Sequence, residues 1–120
     1  MVHGTQHQID NTMEQCISNC LDCHRSCTQT AQHCLGMGGE HASQQHIGLL
    51  LDCAQSCQQS ADFMLRMSQF HGRVCGVCAD ICEACAQDCE RLANGDQMML
   101  DCAETCRRCA ASCREMASMA

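Results

Sequence analysis

The cysteines of this chain recur at helical intervals. There are sixteen in 120 residues, and within each run they are separated by three or four positions. Steps of three and four place side chains on one face of an α-helix, one turn above another. Cysteine thiolates bind soft metals, namely Cu(I), Zn(II) and the iron of iron–sulfur clusters. The pattern therefore predicts helices that enclose a sulfur-lined metal site.

All sixteen cysteines are candidate metal ligands. They are Cys16, Cys20, Cys23, Cys27, Cys34, Cys53, Cys57, Cys75, Cys78, Cys82, Cys85, Cys89, Cys102, Cys106, Cys109 and Cys113. Two other soft or borderline donors continue the same stripes: His46 lies seven residues before one cysteine run, and Met99 lies three residues before another. We predict His46 and Met99 as further ligands at one end of the stripes, with His41 and Met98 as secondary candidates there.

The spacing favours Cu(I) among the soft metals. Zinc takes four ligands in a closed tetrahedron, so sixteen cysteines would hold about four zinc ions without bridging. A cuprous ion accepts fewer sulfurs, and one thiolate can bridge two ions, so a continuous thiol surface holds many of them. The C-x2-C-x2-C run of bacterial iron–sulfur sites is absent. We predict several Cu(I) ions per chain; a buffer for zinc or another soft metal and an iron–sulfur electron-transfer protein are the alternatives.

Four helical segments carry the cysteines, at about residues 11–35, 43–67, 69–93 and 96–119. Asp10, Ser68 and Asp96 are the expected N-caps, and glycines or Asn94 follow the expected helix ends. Connections this short make consecutive helices antiparallel. The chain is thus expected to be all-α, a single up-down-up-down four-helix bundle over residues 1–120 with a cysteine-lined core.

The thiols must also provide most of the hydrophobic core. Leu, Ile, Val and Phe together number only 17. Free cysteine behaves as a small hydrophobic residue and is among the residue types most often buried. We therefore expect the reduced, metal-free protein to be helical already.

Composition also excludes several classes of function. The net charge of −7 and the lack of a basic cluster argue against nucleic acid. No apolar run is long enough to cross a membrane. Residues 1–10 are polar and do not resemble a secretory signal, so a reducing cytoplasm is the expected location. His3, His7 and His24 are expected in solvent, and no residue pattern indicates an enzyme.

Three segments resemble the bacterial copper storage proteins. They are LLLDCAQSC at residues 49–57, VCGVCADICEACAQDC at 74–89 and CAETCRRCAASCREM at 102–116. The resemblance covers almost the whole chain. It implies a four-helix bundle that binds many Cu(I) ions along its core, a homotetramer, and the cytosolic branch of the family, supplied by a small-molecule or protein copper donor. The chain departs from many relatives at His46 and Met99, where a cysteine is common, and at Thr30.

Overall fold

The computed structural model describes residues 9–119; His3, His7 and the other residues of 1–8, and residue 120, lie outside the described part. Within that part the chain forms four α-helices and no strand. They are α1 (Asn11–Met37), α2 (Gln44–Leu65), α3 (His71–Ala93) and α4 (Gln97–Met119), with a 3₁₀ turn at Gly39–Ala42 between α1 and α2. The all-α fold class predicted from the cysteine spacing is confirmed.

Two of the expected helix caps are present. The Oδ1 atom of Asp10 accepts a hydrogen bond from the Met13 backbone N–H at 2.8 Å. The Oδ1 atom of Asp96 accepts one from the Met99 N–H at 3.0 Å. Each carboxylate thereby satisfies a backbone donor that has no partner inside its helix.

The α2–α3 connection differs from the expected one. Helix α2 ends at Leu65, before Met67, which adopts a left-handed conformation with φ of 55°. Ser68 is not the cap of α3, because its hydroxyl accepts from the Phe70 N–H and so closes a turn outside the helix. Phe70 is the cap residue and α3 begins at His71, two positions later than the spacing indicated. A non-glycine residue with positive φ is difficult to foresee from sequence.

Helix α1 is longer than expected. It continues to Met37, past Leu35, and ends where Gly38 takes a φ of 74°. A residue with a side chain would be strained in that conformation, so the helix terminates at this glycine and not at Gly36.

The helices pack as a square. Helix α1 lies against α2 and α4, and α3 lies against the same two neighbours. The α1–α2 and α3–α4 connections therefore meet at one end, which we call the His46 end. The start of α1, the α2–α3 connection and the end of α4 meet at the opposite end, which we call the His71 end. Among the described residues, no helix is long and apolar enough to span a membrane.

Thiols and alanines fill the interior. All sixteen cysteines are buried, none of them more than 1% exposed. Ala54, Ala61, Ala79, Ala86, Ala103 and Ala110 are buried beside them. The stripes predicted from sequence are thus the buried faces, and small side chains let the four helices approach closely around the sulfur atoms.

Candidate metal centre

The sixteen thiols form a column along the bundle, most of them in contact with another thiol. All are free of disulfides, and contacting sulfur atoms lie between 3.5 and 4.0 Å apart. A sulfur–sulfur bond is about 2.05 Å long, so these contacts are between separate thiols. The column is apolar when every thiol is protonated and becomes a set of ligands when the protons leave.

One four-thiol group joins three helices. The Cys23 sulfur lies 3.9 Å from Cys27, 3.8 Å from Cys53 and 3.7 Å from Cys106. Cys27 and Cys106 are themselves 3.5 Å apart. All four sulfur atoms lie within 4.8 Å of one another. A metal ion in this group would draw ligands from α1, α2 and α4.

A second group adjoins the first without sharing a member. The Cys57 sulfur lies 3.6 Å from Cys82 and 3.7 Å from both Cys78 and Cys109. Cys78 and Cys82, one turn apart on α3, are 3.8 Å apart. The Cys53–Cys82 contact of 3.6 Å connects the two groups, so a thiolate at their boundary can reach ions on either side.

Other groupings of the same thiols overlap these two. Within the described residues they are Cys20–Cys78–Cys109–Cys113, Cys23–Cys53–Cys57–Cys82 and Cys16–Cys75–Cys113. Shared membership means that neighbouring ions would use common thiolates. This arrangement suits a metal that accepts bridging sulfur.

At the His46 end the sulfur atoms are more widely spaced. Cys34, Cys85, Cys89 and Cys102 are buried there, but within residues 9–119 none belongs to a group of three thiols within 4.8 Å. Burial, together with the nearby Asp96 carboxylate, raises the pKa of the Cys34 thiol to about 11. Cys34 therefore keeps its proton at neutral pH until a metal displaces it.

His46 is oriented as a metal ligand. Its ring is 1% exposed, and Nδ1 donates to Oδ2 of Asp88 at 2.7 Å. The carboxylate can only accept, so Nδ1 carries a proton and Nε2 is the ring nitrogen that could bind a metal. That Nε2 atom lies 3.5 Å from the Cys34 sulfur. A histidine that donates its other ring N–H to a carboxylate is typical of metal sites.

Asp88 was not found by the sequence analysis. Desolvation raises the pKa of its carboxyl, but hydrogen bonds from Arg91 and His46 outweigh this and hold the pKa below the ordinary value. Asp88 thus stays ionised and keeps His46 in the required tautomer. It precedes Cys89 on α3 while His46 is on α2, so no local spacing relates the two residues.

The other candidate ligands at this end differ in position. Met99 is fully buried on the α4 stripe. His41 is half-buried, and its Nε2 donates to the Leu92 carbonyl at 2.9 Å. Met98 is 43% exposed on the outer surface of α4. The structure thus brings His46 and Met99 into the interior and leaves Met98 outside it.

Two buried hydroxyl groups occupy positions on the cysteine stripes. Thr30 is 1% exposed and fills the gap in the α1 stripe, and Ser60 is fully buried on the α2 stripe. The Ser60 hydroxyl has no hydrogen-bond partner in the described part of the chain. His24 is not simply in solvent as expected, because its Nδ1 lies 2.9 Å from the Ala54 carbonyl oxygen.

Neighbouring thiols influence one another's acidity. Contact with Cys113 lowers the pKa of the Cys16 thiol, since an S–H donor stabilises a thiolate. Contacts with Cys109 and Cys16 raise the pKa of Cys113 itself. Contacting thiols therefore titrate as a set, and the whole set ionises only when cations compensate the charge.

Comparison with known proteins finds a matching family and similar structures. The family described as copper storage protein matches residues 9–118. A protein of known structure from Nitrosospira multiformis is 46% identical over 93% of this chain and 100% of its own, with a TM-score of 0.87. No curated protein sequence gives a significant match.

Two similar structures contain copper. A Cu(I)-bound copper storage protein from Bacillus subtilis is 34% identical over 89% of this chain and 99% of its own, with a TM-score of 0.82. A cytosolic copper storage protein from Streptomyces lividans, loaded with five coppers, is 30% identical over 96% of this chain and 97% of its own, with a TM-score of 0.81.

Proposed function

Because this chain belongs to the copper storage protein family, we propose that it stores Cu(I) on its sixteen core thiolates. The observation that carries the proposal is the column of buried thiols, in which the groups of three and four overlap. The Cu(I)-bound relative from Bacillus subtilis supports it, since the two chains share the fold over nearly their whole lengths.

Charge balance in the core supports Cu(I) over zinc. Buried charge is costly unless a partner compensates it. Among the described residues the buried polar side chains are Asn19, Thr30, His46 and Ser60, so no arginine lies in the core. One Cu(I) per thiolate leaves the column neutral, whereas about four zinc ions on sixteen thiolates would leave a net charge of about −8.

Loading would exchange protons for copper. Each Cu(I) ion that binds a thiol displaces its proton, so one positive charge leaves as another arrives. The raised pKa of Cys34 means that this proton is present at neutral pH before the metal binds. Copper binding should therefore weaken as the pH falls, because protons compete for the same sulfur atoms.

We propose that copper enters at the His46 end. The thiols are more widely spaced there, His46 lies beside Cys34, and Met99 is buried at the same end. Neutral imidazole and thioether groups hold Cu(I) less tightly than thiolates, which suits transfer into the column. His41 and Met98 are secondary ligands in this proposal, with Met98 at the outer surface, where an incoming ion arrives first.

We propose a non-enzymatic role. A catalytic cysteine needs a thiolate that a substrate can reach. Each thiol in this chain is at most 1% exposed, which suits retention of metal and not attack on a substrate.

We propose that the protein acts in the cytoplasm, where it limits copper toxicity and receives copper from a small-molecule or protein donor. The reduced state of all sixteen cysteines fits a reducing compartment, and the similar protein from Streptomyces lividans is described as cytosolic.

We propose that residues 1–120 act as one domain and that four such chains form a homotetramer. Leu21, Leu51 and Val77 flank the cysteine stripes and are 40%, 44% and 59% exposed. Exposed apolar side chains of this size on three helices are typical of surfaces that pack against another chain. Ile17, in contrast, is only 4% exposed and belongs to the bundle core.

An anaerobic Cu(I) titration of the reduced protein tests the storage function. The expected result is saturation near one ion per thiol, measured by ultraviolet absorbance and elemental analysis. Saturation at about four ions or fewer would support the zinc-type alternative. A brown protein with visible absorption would support the iron–sulfur alternative.

A further inference from the structure

We propose that the His71 end holds a terminal Cu(I) ion, bound by thiolates of the Cys16–Cys75–Cys113 group with Nδ1 of His71 as a neutral ligand. The proposal rests on the storage function and adds a ligand position at the end opposite the one through which copper enters. It concerns retention of the outermost ion at this end, not the loading of the column.

Three helices bring thiols together at this end. Cys16 belongs to α1, Cys75 to α3 and Cys113 to α4, and their sulfur atoms all lie within 4.8 Å of one another. The Cys16–Cys113 distance is 3.8 Å, and Cys20 lies 3.5 Å from Cys113 on the inner side. The group is the outermost set of thiols, so an ion bound on its outer side has no further thiolates to coordinate it.

His71 occupies the next position outward. It is the first residue of α3 and lies four residues before Cys75, which places both on the same helix face. Its Nδ1 atom is buried and has no hydrogen-bond partner in the described part of the chain. A buried polar atom without a partner is unfavourable, and coordination of a metal would satisfy it.

The other described histidines all use a ring nitrogen. His24 and His41 contact backbone carbonyl oxygens at 2.9 Å. His33 and His46 contact the carboxylates of Asp96 and Asp88 at 2.9 and 2.7 Å. His71 alone has a buried ring nitrogen without a partner among residues 9–119. Its Nδ1 atom is therefore available to a ligand.

Buried methionines continue the cysteine stripes at this end. Met13 lies three residues before Cys16 and Met116 three residues after Cys113, so each continues its own stripe outward. They are 6% and 3% exposed, and Met64 at the end of α2 is fully buried. Thioether, imidazole and thiolate together form a soft donor set, which selects Cu(I) over harder divalent ions.

Substitution of His71 with two matched control variants tests the proposal. His71→Leu removes the donor at similar volume, and His71→Met replaces it with a thioether. His24→Leu removes a histidine that lies beside the bundle away from the thiol column. Each protein is loaded with Cu(I) and then exposed to an excess of a Cu(I) chelator. Far-UV circular dichroism verifies that each variant is folded.

We expect His71→Leu to retain about one Cu(I) fewer per chain than the wild type. His71→Met should recover most of that loss, and His24→Leu should match the wild type. In the ¹⁵N-labelled wild type the Nδ1 resonance of His71 should move on loading. Equal retention by His71→Leu and the wild type, with an unmoved Nδ1 resonance, would overturn the proposal.

The NMR measurement also serves if His71→Leu does not fold, because it uses the wild-type protein. A wild type that loads many ions while the His71 resonance stays fixed contradicts this inference alone. A wild type that binds only a few copper ions contradicts the storage function as well, and the two failures are thereby separated.

Discussion

The contacts of an individual cysteine determine whether its thiolate can bridge two metal ions or binds only one. Cys23 touches thiols on its own helix and on two others, whereas Cys34 belongs to no close thiol group within residues 9–119. A thiolate among several neighbours can bridge ions, and an isolated one binds a single ion. Cysteines on one stripe are therefore not equivalent.

Replacement of Cys23 by alanine should reduce copper capacity more than replacement of Cys34. We expect a loss of about two Cu(I) ions for Cys23→Ala and about one for Cys34→Ala, because only the former removes a bridging ligand. Elemental analysis of the two saturated variants measures the difference. Equal losses would show that Cys23 does not bridge.

His46 and Met99 should control the rate of loading and not the capacity. In the variant with both His46→Leu and Met99→Leu, Cu(I) should load more slowly, because the neutral donors at that end are gone while all sixteen thiols remain. Stopped-flow absorbance with a chelated Cu(I) donor measures the rate.

The matched control for that experiment carries Met64→Leu and Met67→Leu at the His71 end. It should load at the wild-type rate. The reverse result is a normal rate for the His46/Met99 variant and a slow rate for the Met64/Met67 variant. It would show that copper enters at the His71 end and that our proposal is wrong.

At the scale of the helices, the cysteine spacing was a sufficient guide to the buried faces. The stripe through His46, Cys53 and Cys57 on α2 is buried as predicted, and Ser60 and Met64 continue it. Steps of three and four residues describe one helix at a time. They identify its buried face but not which residues of the other helices pack against that face. For this reason the buried face was predictable and the sulfur–sulfur groups that connect the helices were not.

The features that could not be predicted from the sequence are contacts between residues on different helices. The Asp88–His46 hydrogen bond joins α3 to α2, and the unpartnered Nδ1 of His71 is evident only once its neighbours are in place. The start of α3 was misplaced because Met67 adopts a left-handed conformation, which local propensity does not favour for methionine.

The pH dependence of the metal-free bundle follows from its buried thiols. The pKa of Cys34 is raised in the folded state from 9.0 to about 11. A group with a raised folded pKa stabilises the fold fully below its unfolded pKa, and that contribution is lost as the pH rises through the folded value. The reduced apoprotein should therefore be helical at pH 7 and lose stability between about pH 9 and 11.

Thermal denaturation followed by circular dichroism at several pH values measures this loss. The copper-loaded protein is the control, and its midpoint should change little over the same range, because its thiolates are already neutralised by metal. A random-coil apoprotein at pH 7, or an apoprotein midpoint that does not vary with alkaline pH, would contradict the account.

At the scale of the whole molecule, the proposed homotetramer predicts a mass that can be measured. Light scattering of the apo and loaded protein at micromolar concentration should give the mass of about four chains. Leu51→Glu combined with Val77→Glu should shift the protein toward smaller species, because charged side chains are costly in a buried interface. A monomeric wild type would contradict the tetramer and leave copper storage unaffected.

The balance of charge in the whole core is the central physical claim. A buried column with many thiols and no buried arginine or lysine among the described residues can hold a large number of ions only if each brings one positive charge per thiolate. Monovalent copper meets this condition and divalent zinc does not. The number of copper ions bound and the number of protons released therefore both follow from the requirement that the buried thiolates be neutralised.

Native mass spectrometry of the loaded protein measures both quantities at once, since the mass of each complex gives the number of metal ions and of displaced protons. We expect about sixteen Cu(I) ions per chain with about one proton lost for each ion. Saturation at about four metal ions, with two or more protons lost per ion, would contradict the account.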